Sequence, residues 1–289
     1  MAEKDATEKT LESYGDVFAD IVNVLLFDGR RVIAPEDLRD ALPRSIYKAN
    51  GKLHEQERDT AKFWLSGQIR IALLGLENQT EIEEDMVLRV ISYDGAAYRD
   101  QMNRDEKGKP KERYPVVTIV LYFGYKKRWD KPLNLKERFD IPKALEPYVN
   151  DYHVNLIEIA WLPDETIARF QSDFRFVADY FSQKRKNQQY KAPAGEMKHV
   201  RAVLELLSAV MQDTRFIDAY NERVAEGRPT NMDPWLDEIE NRGMEKGKTE
   251  MVLEMLRANQ PLELIMQFSK FSRERIVEIG KQYGIPASV

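Results

Sequence analysis

The stretch 68-QIRIALLGLENQTEIEEDMVLRVISYDGAAYRDQ-101 decides how this chain folds. Ile69, Ile71, Leu73, Leu74 and Leu76 make an apolar run of strand length, bounded by Gly67 and by Glu77-Asn78-Gln79. Side chains alternate along a strand, so Glu77 and Gln79 share a face. An anionic acceptor then stands beside a neutral carboxamide at the end of a rigid element. Beyond it, Ile82, Met86, Val90, Tyr93, Ala97 and Gln101 recur every three or four residues, which predicts an amphipathic helix over 81–103. Thr80 is placed to cap it, and Glu81, Glu83 and Glu84 suit its positive end. On that helix Arg89, Tyr93 and Gln101 are expected near the strand's polar end, as contacts for a phosphate or a strand terminus. The alternative is that Tyr93 and Gln101 satisfy each other or the backbone where helix meets sheet.

Upstream, Leu65-Ser66-Gly67-Gln68 is a turn flanked by apolar residues. A tight antiparallel hairpin about Ser66-Gly67 would lay 58–65 against 69–77. Asp59 would then fall opposite Gly75, within about two pairing positions of Glu77. Residues 58–64 could instead begin a helix. Farther upstream, GDVFADIVNVLLF (15–27) has helical apolar spacing, with Asp16 as a candidate cap and Asp28-Gly29 as the stop. Asp20 and Asn23 lie near one face of it and read as polar groups of a helix packed on a sheet. Residues 1–14 are mostly charged, 35–42 suggest a short helix, and 43–56 suggest a loop.

Downstream, 116–123 and 154–162 are two further apolar strand candidates, separated by an irregular, proline-punctuated stretch. From 164 on the pattern is helical: about 164–185, 195–212, 214–226, 236–258, 261–269 and 273–283, with TNMDPW (230–235) as a linker and Ser272 as the cap of the last helix. The final two have the outline of a helix-turn-helix, with Ile265, Phe268, Phe271, Ile276 and Ile279 as its core. Its second helix sets Arg273, Arg275 and Lys281 against Glu274 and Glu278, a face poorly suited to the major groove.

The chain has 289 residues, 43% of them hydrophobic, enough for a sizeable core. It contains no cysteine, which excludes disulfides and cysteine-ligated zinc and fits a cytoplasmic location. The charged N-terminus resembles no signal peptide, and no apolar run reaches membrane-spanning length. At a net charge of -5 the molecule as a whole is no basic nucleic-acid binder. Contacts to DNA would need local clusters such as 107–113, 126–128 and 184–191. His54, His153 and His199 have no ligand spacing and read as surface or packing residues.

Two acids and a carboxamide at the end of a hairpin make a hard-oxygen site. Magnesium prefers carboxylate and water oxygens and takes one or two protein carboxylates. The order acid, hairpin, Glu-x-Gln, helix, strand resembles the PD-(D/E)XK restriction-endonuclease-like fold: an α/β core with a mixed central sheet flanked by helices, followed here by an all-helical C-terminal region. More narrowly, GLENQT, MVLRVISYDGAAYRDQ, YPVVTIVLYFG, RWDKPLNL and VNDYHVNLIEIAWL, with a weaker match in NRGMEKGKTE, resemble the Rpn family of recombination-promoting nucleases and putative transposases. That resemblance implies a metal-dependent DNA endonuclease using Mg²⁺ or Mn²⁺. It carries the metal ligands to Asp59 and Glu77, and to Gln79 the place where most related nucleases have lysine. Arg58-Asp59 stands where the superfamily has Pro-Asp; were Asp59 not the ligand, Asp20 or Asp28 remain. Asp20 is also the candidate for an added acid from the helix before the sheet. The expected division is a nuclease-like domain at 1–163, a helical extension at 164–230 packed on it, and a helical tail at 231–289 for self-association or as a helix-turn-helix. The missing lysine and the acidic balance keep a second class open: an inactive nuclease scaffold that binds DNA or another protein.

Overall fold

The computed structural model describes residues 10–41, 44–49, 52–57, 59–67, 69–103, 108–188, 190–227 and 235–285. The linker expected at 230–235, Arg58 and the side chain of His54 lie outside or largely outside these. The chain divides into two compact units, Met1–Asn231 and Met232–Val289.

The first unit opens with α1 (Gly15–Phe27), which buries Val17, Phe18, Ile21, Val22 and Val24. Asp28 ends it in the left-handed conformation, its N–H bonded to the carbonyl of Asn23. Asp16 does not cap α1; the N-cap is Tyr14, and Asp16 reaches His199 at 3.2 Å. Asn23 is buried rather than solvated. Its Nδ2 donates to Ile33 O at 2.7 Å and its Oδ1 accepts from the Val32 and Ile33 amides, which pins the chain leaving the helix. The helix expected at 35–42 is one turn of 3-10 helix running into β1 (Leu38–Asp40). The loop expected at 43–56 is a two-stranded hairpin, β2 (Arg44–Ala49) with β3 (Lys52–Glu57).

β4 (Thr60–Ser66) and β5 (Ile69–Gln79) form the hairpin at the heart of the unit. α2 (Met86–Asp100) follows, then β6 (Val116–Tyr122) and β7 (Asn155–Glu158). The five-stranded sheet has the order β1-β4-β5-β6-β7, antiparallel on the β1-β4-β5 side and parallel on the β5-β6-β7 side. On one face Ala61, Leu73 and Val116 pack with Ala97, and Val120 packs with Met86, Val87 and Val90 of α2. Phe123, just past β6, meets Phe174 and Phe181 on the other face.

Two helices are shorter than their periodicity suggests. α2 begins at Met86, not Glu81, because the acidic run before it is drawn outward: Glu84 pairs with Lys131 at 2.9 Å and Asp85 with Arg138 at 2.5 Å. The expected 164–185 helix is broken into α3 (Asp164–Ile167) and α4 (Phe174–Arg185). Asp20 causes the break locally, since its Oδ2 accepts the amides of Gln171 and Ser172 at 2.8 and 2.7 Å, donors that a continuous helix would use internally. β7 stops at Glu158, and the remainder of the third strand expected to reach 162 is a 3-10 turn at Ile159–Trp161. α5 (Val200–Met211) and α6 (Arg215–Ala225) complete the unit.

The second unit is α7 (Trp235–Arg257), α8 (Leu262–Ser269) and α9 (Arg273–Gln282) around Val252, Leu253, Leu256, Leu262, Ile265, Ile276 and Ile279. Ser272 caps α9 by accepting the Arg275 amide. Phe268, expected in that core, is 60% exposed. Among the described residues no helix is long and apolar enough to cross a membrane.

Candidate functional site

The site forms at the C-terminal end of β5, where β5 and β6 run parallel and such sheets usually bind ligands. Two details of the hairpin set its geometry. Ser66 pairs with Ile69, so the turn sits one residue later than a Ser66-Gly67 turn, and a bulge between Trp64 and Leu65 shifts the register again. Ala61, not Asp59, therefore lies opposite Gly75, and Thr60 lies opposite Leu76. Asp59, one residue before Thr60, falls beside Glu77, closer than a plain hairpin would bring it.

Glu77 is 3% exposed. Its Oε1 accepts from Arg89 Nη2 at 2.5 Å, with the Gln79 amide at 3.4 Å and the Tyr93 hydroxyl at 3.5 Å. Arg89 also donates to the Tyr93 hydroxyl at 3.1 Å. Alternation along β5 and helical spacing on α2 thus bring Glu77, Gln79, Arg89 and Tyr93 into one cluster. Burial lowers the proton affinity of Arg89, but its bond to Tyr93 and the attraction of Glu77 outweigh that and leave its pKa raised. Burial also pushes the Tyr93 hydroxyl up, with Glu77 and Asp59 adding to the shift, so it remains a donor at neutral pH.

Next to Glu77 on β5, Asn78 joins two acids, one through its backbone and one through a side chain on the face opposite Glu77. Its backbone N–H donates to Asp59 Oδ2 at 2.6 Å, and its side-chain Nδ2 donates to Glu12 Oε1 at 3.0 Å. Glu12, on a 3-10 turn just before α1, is fully buried. That burial holds its carboxyl above the ordinary value, and Asp59 adds to the shift. Its Oε2 has no hydrogen-bond partner among the described residues. Sequence reasoning missed Glu12 because it lies in a charged leader. The available signal was Leu11 and Tyr14 flanking it at a three-residue spacing; Leu11 is fully buried and Tyr14 stacks on His199.

Asp20 and Gln101 stand elsewhere. Asp20 is committed to the 171–172 amides, while Glu12, also from before the sheet, is held by the Asn78 side chain. Asp28 pairs with Arg169. Gln101 is at the far end of α2, where its Oε1 accepts the Tyr114 amide at 3.0 Å, as the backbone-satisfying alternative anticipated. Its motif neighbours act there too: Tyr98 accepts the Val116 amide at 3.0 Å, and Asp94 accepts Thr118 Oγ1 at 2.6 Å together with the Tyr152 hydroxyl. Most of YDGAAYRDQ therefore fastens α2 to β6, and only Tyr93 reaches Glu77. His153 and His199 bond to Asn134 and Asp16, respectively.

In donor type the site suits a hard divalent cation: Glu77 at the end of β5 and Asp59 just before β4 offer carboxylate oxygens. Among the described residues no group of three or more acidic or histidine side chains gathers as a metal cage. A cation here would rest on two protein carboxylates, with water or substrate oxygens filling the rest of its shell, the usual habit of magnesium.

Residues 71–210 match the family model described as a putative transposase, YhgA-like. The matched span begins within β5 and includes Glu77, Gln79, α2 and the strands that carry the parallel half of the sheet. No curated protein and no solved structure gives a significant match.

Proposed function

We propose that this chain, whose residues 71–210 match the model of the YhgA-like putative transposases, is a metal-dependent DNA endonuclease with a PD-(D/E)XK-like core that serves a mobile-element or recombination role. The observation that carries the reading is the cluster at the end of β5: Glu77 with a guanidinium held on it at 2.5 Å, and Asp59, just before β4, bonded to the amide of the next residue, Asn78. A buried carboxylate facing a cationic group is an electrostatic position suited to a cation and a phosphodiester.

Asp59 and Glu77 would hold Mg²⁺ or Mn²⁺. Bound there, the ion supplies an acidified water and charge stabilisation on the phosphodiester. The chain's own groups do the rest. Arg89 neutralises Glu77 in the resting site and, once released, is within reach of a phosphate oxygen. Gln79, uncharged, orients water or donates to a phosphate oxygen but cannot replace the positive charge of a lysine. The Tyr93 hydroxyl stays protonated and donates. Glu12, its carboxyl held above the ordinary value by burial, lies across β5 on the Asn78 side chain.

A second reading draws on the same pair. With Glu77 tied to Arg89 and glutamine at 79, the scaffold would bind DNA without cutting it. Plasmid nicking in Mg²⁺ separates the two: Glu77→Gln should lose about 100-fold or more of the wild-type rate. Equal rates would sink the nuclease site, and retention of DNA without cleavage by the wild type would favour the binding module.

A further inference from the structure

Two basic segments far apart in sequence meet beside the site. β6 ends next to Gln79: Tyr122 pairs with it, and the Phe123 amide donates to its carbonyl at 2.8 Å. The chain then turns sharply at Gly124, where an added Cβ would fall 2.0 Å from the Tyr122 ring. This turn leads into 124-GYKKRWDK-131. The loop packs against the C-terminal end of α4, which carries Lys184 and Arg185, with Lys186 as its C-cap.

Aromatic rings knit the two segments together. Tyr125 lies 6.4 Å from Phe181, with Lys126 Nζ at 5.8 Å and Lys184 Nζ at 5.9 Å from its ring. Trp161 receives Arg128 at 5.2 Å and Arg185 at 4.7 Å. The carboxylates nearby are already committed: Asp130 to Lys127, Glu158 to Arg128 and Asp164 to Lys186. On a chain of net charge -5 this is a local cationic surface, built on aromatic faces and starting one strand from Gln79.

We propose that the 124–131 loop and the C-terminal end of α4 form one track for the sugar-phosphate backbone of DNA, carrying the strand away from the cluster at Glu77. The proposal rests on the nuclease reading of that cluster and adds where the substrate lies. Cations interleaved with aromatic rings are what a nucleic-acid backbone with accessible bases recruits, and cation–ring contacts hold long side chains in place before the ligand arrives. Lys126 and Lys184, one from each segment around Tyr125, are the contacts that make it a single track.

The test is DNA binding by fluorescence anisotropy over a salt series, in a Glu77→Gln background that stops cleavage. Lys126→Glu/Lys184→Glu should weaken binding about 10-fold or more. It should also lower the slope of log affinity against log salt by about 2 on duplex, and by somewhat less on single strands. Lys126→Ala/Lys184→Ala, a milder change, should lower the slope in the same way with an unchanged melting temperature. Arg39→Glu on β1, at the opposite edge of the sheet, should alter neither quantity. Unchanged affinity and slope in both double variants, or an equal loss with Arg39→Glu, overturns the track while leaving the Glu77 site standing. Absence of DNA binding by the Glu77→Gln parent, with no nicking by the wild type, overturns the nuclease reading and the track with it.

Discussion

The two ends of α2 use similar side chains for opposite ends. From its middle to its C-terminal end, Asp94, Tyr98 and Gln101 direct polar atoms at Thr118, Tyr152 and the amides of Val116 and Tyr114, so the helix is fastened to β6 and its neighbours. At its N-terminal end, Arg89 and Tyr93 converge on a buried carboxylate that alternation has placed at a strand terminus. One end settles its polar groups against the fold. The other gathers an ion pair, a hydroxyl and a carboxamide around one buried carboxylate. The YDGAAYRDQ motif therefore mixes anchoring residues with one, Tyr93, that reaches Glu77, and its neighbour Asp94 shows that side-chain direction rather than position along the helix separates them.

The sharpest way to break this comparison is Asp94→Ala. It should cost about 2–4 kcal/mol, because the buried Thr118 hydroxyl and the half-buried Tyr152 hydroxyl lose their acceptor at once. Urea unfolding would read this as a lowered midpoint, and nicking per folded molecule should be retained. A loss under about 1 kcal/mol would show that the anchoring end is weaker than its geometry suggests.

At the Glu77 cluster, Arg89→Ala should cost about 1–3 kcal/mol of stability without metal, read as a lower melting temperature, since it strands a buried carboxylate; the figure is reduced from that of a fully buried pair because Arg89 is 36% exposed. Millimolar Mg²⁺ should restore part of that stability by binding the folded state. A variant whose melting is indifferent to Mg²⁺ would remove the cation from Glu77. Gln101→Ala should cost about 1–2 kcal/mol through the Tyr114 amide and leave nicking intact. Lost cleavage with normal stability would instead return Gln101 to the site.

The smallest effect should come from Glu12→Gln, and pH should reveal it. Glu12 ionises less readily folded than unfolded, so the native state keeps a proton that the unfolded chain releases. Above the ordinary value of 4.5, wild-type stability should therefore fall as pH rises toward the raised folded value. Glu12→Gln has no such proton to lose. Its stability relative to the wild type should improve from pH 5 to pH 7, and a gap that stays constant across that range would mean Glu12 is already ionised in the fold.

Much of the frame was legible because it is written in local periodicity. α1 has the bounds its apolar spacing predicts, and the apolar run ending in Glu77-Asn78-Gln79 is β5. Boundaries failed where a distant group captured the backbone or an end charge: Asp20 took two amides from the helix expected at 164–185, and Lys131 and Arg138 drew away the acids before α2. The β2–β3 hairpin was hidden because its residues carry no run of alternating apolar side chains.

By itself, the sequence determined that a carboxylate and a carboxamide would share one face at the end of a buried strand, because side-chain alternation needs no partner. Only the tertiary structure decided what surrounds them. A bulge moved Asp59 beside Glu77, Asn78 drew in Glu12 from 66 residues away, and the turn at Gly124 laid one basic segment against another. Those pairings depend on register and on contacts between distant parts of the chain, which a short-range pattern does not carry.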